Sequence, residues 1–142
     1  MSLADRVWNP RATTGGPSSA VQVDIWNPGD PIPPTGDWLL IGVASWSGYD
    51  RRLVSLIESL TRAPGRIALF DADVCDSQES VRVYIPRIGF VHHTPIVGHW
   101  HDGALVESDN GYAARHLIYR VLGLDPKSAD EYVLQRPTGA AV

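Results

Sequence analysis

A single cysteine, Cys75, in a chain of 142 residues rules out an intramolecular disulfide and makes the cytoplasm the default location. Basic charge is scarce: 12 Lys and Arg against 16 Asp and Glu give a formal net charge of -4. General nucleic-acid binding relies on clustered Lys and Arg that release counterions, so that class of partner is excluded. No apolar run approaches the roughly 18 residues needed to span a bilayer, and no membrane insertion is expected. The opening residues carry no positive start followed by an apolar core, so no signal peptide is expected. What remains is an ordinary globular composition, 44% hydrophobic and 20% charged, in a length that suits one domain with flanking arms.

The chain divides into arm, domain and tail. Residues 1–20 mix Pro, Gly and small polar residues without a period of 2.0 or 3.6, which predicts an extended arm. The domain is expected over 21–124. Val21 to Trp26 alternates as a half-buried strand does, and four prolines between Asn27 and Gly36 forbid a helix. Trp38 to Ser45 and Arg66 to Phe70 read as buried strands, with an amphipathic helix between them carrying Leu53, Leu56, Ile57 and Leu60. Ser77 is placed to cap a short helix that Pro86 limits. Ile96 to Val106 reads as a hairpin turning at Asp102-Gly103, followed by a helix capped at Asp109 or Asn110 and closed by Gly123. Residues 125–142 read as a tail.

Trp46-Ser47-Gly48-Tyr49-Asp50 lies between a buried strand and a helix. Phe70-Asp71-Ala72-Asp73 ends a strand in an acidic turn, Thr94-Pro95 precedes the hairpin, and Trp100-His101-Asp102-Gly103-Ala104-Leu105-Val106 forms it. In order and spacing these segments resemble the thioredoxin-fold superfamily over most of the chain, about Val21 to Gly123. The resemblance implies a three-layer α/β/α fold with a central mixed sheet of four to five strands. It implies a cis peptide bond at Thr94-Pro95, facing the turn. It also implies that Ser47 and Asp50 stand where the family carries its two active-site cysteines, and that Ile41 and Leu69 stand where it carries a proton-handling Asp and Lys.

Thiol–disulfide exchange needs a thiolate nucleophile and a resolving thiol. Ser47 and Asp50 supply neither. Ser47, Asp50 and His92 or His93 could instead compose a nucleophile with base and carboxylate. Nothing in the sequence supplies an oxyanion hole, and both turn residues read more simply as helix caps, with Asp50 facing the dipole's positive end. His99 and His101 share one face of a strand, a spacing that zinc or copper can use, yet no further ligand falls at a familiar interval and exposed histidines are the simpler reading. Cys75, beside Asp73 and Asp76, has neighbours that raise a thiol's pKa and reads as inert.

The expected function is therefore that of a redox-inactive thioredoxin-like protein, an interaction subunit of a larger assembly or a dedicated chaperone, with no cofactor. A single-thiol oxidoreductase using Cys75 is the alternative. The expected contact surface is Trp46, Ser47, Gly48, Tyr49 and Asp50 with Thr94 and Pro95, where the family binds extended peptides through the backbone. Trp8 and Trp26, each followed by Asn-Pro, are expected to anchor a protein partner from the arm, with the arm adding nothing to the fold.

Overall fold

The computed structural model describes residues 2–9, 22–27, 29–31 and 33–135. Five strands form one mixed sheet: β1 (Val23–Ile25), β2 (Asp37–Val43), β3 (Arg66–Asp71), β4 (Ile96–His101) and β5 (Ala104–Asn110), in the order β1-β3-β2-β4-β5. The β1–β3 and β2–β3 pairs are parallel; β2–β4 and β4–β5 are antiparallel. Five helices accompany it: α1 (Leu3–Trp8), α2 (Gly48–Glu58), α3 (Gln78–Tyr84), α4 (Gly111–Leu122) and α5 (Pro126–Leu134).

Burial explains the strand compositions. Leu39 through Val43 and Ile67 through Phe70 are sealed on both faces of the sheet, as continuous apolar runs in central strands must be. One face, with Leu39, Ile41, Leu69 and Val97, packs against α1, α2, α4 and α5 through Leu3, Leu53, Ile57, Ile118 and Val133. The other, with Leu40, Ala68, Phe70 and Trp100, is covered by α3 and the segment after it through Val81, Tyr84, Ile85 and Ile88. Phe70 stacks on Tyr84 with ring centroids 3.9 Å apart. The β4–β5 turn places Asp102 and Gly103 at φ 48° and 82°, the pair of positive values that Asp-Gly tolerates in a tight hairpin.

Both chain ends differ from the sequence reading. The extended arm expected over residues 1–20 is a helix at residues 3–8, while residues 10–20 lie outside those described. Ser2 caps α1 in a reciprocal box with Asp5, and Leu3 and Val7, one turn apart, are buried in the main core. Six residues show too little of a 3.6-residue period to be recognised, although the capping box is visible in the sequence. The tail expected from residue 125 likewise contains α5, with Asp125 as N-cap and Pro126 at the first helical position; residues 136–142 lie outside those described. Ala129 and Val133 bury its inner face. Arg52 Nε donates to the Val133 carbonyl at 2.6 Å, tying α5 to α2.

Candidate functional site

β2 ends at Val43, and the chain turns through residues 44–47 into α2. Asp50 and Asp73 hold this turn from below. Asp50 Oδ2 accepts from the Ala44 N–H at 2.9 Å, and Asp73 Oδ1 accepts from the Ser45 N–H at 2.9 Å while its second oxygen accepts from the Ser45 hydroxyl. Arg51 donates to the Ser45 carbonyl. Ser47 is the N-cap of α2, its Oγ accepting from the Asp50 N–H at 3.3 Å, as its position in the sequence suggested.

Asp50 departs from its expected place at the open end of the helix. It is 0% exposed, folded inward against Ala44, and its Oδ1 has no hydrogen-bond partner among the described residues. Desolvation raises its pKa above 3.8, opposed in part by the Ala44 bond, the neighbouring Thr94 and Ser47 hydroxyls and the charge of Arg115. A carboxyl in this position is sealed from substrate and cannot serve as an accessible acid or base.

Arg115 belongs to a polar cluster that the sequence did not reveal. Its Nε lies 3.5 Å from Asp130 Oδ1, and it is 8% exposed. Tyr119 donates to the same carboxylate oxygen at 2.7 Å, and His116 Nε2 sits 3.2 Å from the other. The Arg115 guanidinium also lies between the rings of Tyr49 and Tyr112, 5.8 and 5.5 Å from their centroids. Residues of α2, α4 and α5 meet here, and the cluster exists only because α5 is folded.

The peptide bond Thr94-Pro95 is cis, as expected, and Pro95 receives the Gly111 N–H on its carbonyl at 2.8 Å. Thr94 lies beside Asp50, so the segment before β4 faces the turn before α2. Its own backbone N–H and C=O make no hydrogen bond among the described residues. Asn110, one of the two residues expected to cap α4, is its N-cap residue but makes no side-chain cap bond; its Oδ1 accepts from the His92 and His93 N–H groups at 3.1 and 3.2 Å, bracing the loop instead. Trp46 is 74% exposed and Phe90 68%, and the two line a cleft of about 340 Å³ between the turn, the start of α3 and the loop before Pro95. Gly48 and Tyr49 begin α2 beside this cleft but do not line it.

The remaining sequence-selected residues lie elsewhere. Trp8 donates its indole N–H to the Val43 carbonyl at 3.2 Å and packs against the main core, within its own fold. Trp26 rests on Trp38 on the opposite face, centroids 5.5 Å apart. His101 is the last residue of β4; its Nδ1 is 2.6 Å from Asp37 Oδ1, with His99 Nε2 4.0 Å from the same oxygen. The Asp37 hydrogen bond, with Asp102 nearby, raises the His101 pKa. Cys75 is half-buried near Ser80, and burial, followed by Asp71 and Asp76, pushes its thiol pKa up.

A mixed sheet in the order β1-β3-β2-β4-β5, helices on both faces, and a cis-proline loop opposite a helix-opening turn together define a thioredoxin-like fold. Among solved structures the chain is similar to a mutant thioredoxin from Halobacterium salinarum NRC-1, at 19% sequence identity and a TM-score of 0.41, over 80% of this chain and 100% of that one. No family model matches the chain, and no curated protein sequence does.

Proposed function

We propose that this protein is a redox-inactive, divergent member of the thioredoxin-fold superfamily that works by protein contact, as a subunit of a larger assembly or a dedicated chaperone, in the cytoplasm. The observation that carries the proposal is the pairing, at one end of the sheet, of a sealed chemical position with an open binding surface. Asp50, where the resemblance places the second cysteine, is buried, whereas Trp46 and Phe90 are exposed and line one cleft with Thr94, whose backbone makes no hydrogen bond among the described residues. Free backbone groups accept an extended segment by strand-like hydrogen bonds, and flanking aromatics bury its side chains. Ser47 spends its hydroxyl on the α2 cap, and at neutral pH it supplies no thiolate.

The single-thiol alternative rests on Cys75 alone. Its raised pKa depletes the thiolate that attack requires. Two measurements test the proposal. The purified protein should leave the rate of insulin reduction by dithiothreitol at its uncatalysed value; clear turnover would sink it. A photo-crosslinking residue at position 46 should trap a defined protein in the native host, and Phe90→Ala should abolish trapping without lowering the melting temperature.

A further inference from the structure

The cleft beside the turn has a charge and shape that select its occupant. Its floor is apolar, with Ala72 and Val81, and its lips are the exposed rings of Trp46 and Phe90. Asp73 and Asp76 stand in its wall, and among the described residues no Lys or Arg lines it. Asp73 already accepts two hydrogen bonds from Ser45, while Asp76 is exposed and makes none among the described residues.

We infer that the cleft receives a Lys or Arg side chain from an extended segment of a partner protein laid along Thr94-Pro95. This rests on the contact reading above and names the residue class that the surface recognises. A long basic side chain has the two parts the cleft asks for: a methylene stem for the apolar floor, and a cationic head for an uncompensated carboxylate flanked by aromatic faces. A volume of about 340 Å³ holds one such side chain with room for water. The start of α3 also borders the cleft, at Ser77 and Gln78, and its positive end opposes a cation. That end carries about half an elementary charge at most, already partly met by the Ser77–Ser80 box, against two full carboxylates. An acidic side chain meets repulsion, and a purely apolar one offers the Asp76 carboxylate no partner.

The test uses the full chain and blocked pentapeptides Ac-Ser-Val-Xaa-Val-Ser-amide, where Xaa is Arg, norleucine or Glu. Binding is followed at pH 7.5 by NMR shifts of the Trp46 indole, titrated to millimolar peptide. The Arg peptide should bind about tenfold tighter than the norleucine peptide, the Glu peptide weakest, and the preference should shrink with added salt. Asp76→Asn should bring the Arg peptide down to the norleucine level without changing the norleucine affinity, and its melting temperature reports that the fold is kept. Norleucine binding as tightly as Arg, with shifts still centred on Trp46, overturns the cation selection and leaves the contact reading standing. Absence of Trp46 shifts with every peptide overturns both.

Discussion

Asp50 shows how far a residue's environment can depart from its place in the sequence. Its position at the opening of α2 suggested a charge facing the helix dipole, yet the side chain turns inward to hold Ala44 and is fully buried. No pattern in the sequence encodes that rotation, because it depends on Thr94 and Arg115 arriving from distant elements. The consequence is a pH-dependent penalty. The folded pKa lies above 3.8, so the native carboxyl keeps a proton that the unfolded chain has released. Its contribution is fully favourable below pH 3.8 and is lost as pH rises through the folded value. Asp50→Asn keeps the acceptor for Ala44 and carries no charge. The variant should therefore be more stable than the parent at pH 8, by about 1–3 kcal/mol, with the difference shrinking toward pH 4. Urea titrations of both proteins at the two pH values measure it, and a variant less stable at pH 8 would show that Asp50 is stabilised as an anion.

The helices at the two ends show which elements were legible. All five strands, α2 and α4 were legible, through alternation in β1, continuous apolar runs in β2 and β3, the Asp-Gly turn between β4 and β5 and apolar stripes in the helices, and Ser47, Ser77 and Gly123 marked helix ends at the right places. α1 and α5 did not, because six and nine residues give one or two turns and sit beside Gly- and Pro-rich stretches that read as loop. Each nevertheless had local signals: the Ser2–Asp5 box, and Asp125-Pro126 with Ala129 and Val133 one turn apart. Both helices complete the core. Leu3 is 1% exposed, so Leu3→Ala should cost about 2–5 kcal/mol in chemical denaturation, the range for a truncated core leucine. Asp130 on α5 receives Tyr119, His116 and Arg115, and Asp130→Ala would leave a buried guanidinium without its carboxylate. A loss of about 3–5 kcal/mol is expected, against about 1 kcal/mol for Tyr119→Phe, which removes one hydrogen bond and no charge. Equal losses for the two variants would mean that the Arg115 charge is not at stake.

For the whole molecule, the sheet and its cis-proline loop were readable because strand alternation, turn residues and spacing agree with one another, as they do when each local choice serves one topology. The cleft was not readable, since Asp76, Val81 and Phe90 converge only after α3 has folded across the sheet. The scaffold and the chemistry are also separable. Ile41 and Leu69 are partners across β2 and β3, and both are 0% exposed, so neither position offers a group that could pass a proton to or from a thiol. Placing cysteines in the turn is therefore an informative test. In Ser47→Cys with Asp50→Cys, the first thiol would sit at the N-terminus of α2, where the helix dipole lowers its pKa, and the second would occupy a buried position, where desolvation raises it. The double variant should form the disulfide on mild oxidation yet reduce insulin at close to the uncatalysed rate. It should also be at least as stable as the parent at pH 8, because the desolvated carboxyl is gone, which separates poor catalysis from poor folding. Rapid turnover by that variant would show that a proton-handling pair at Ile41 and Leu69 is dispensable and that two thiols in the turn are enough for redox chemistry on this scaffold.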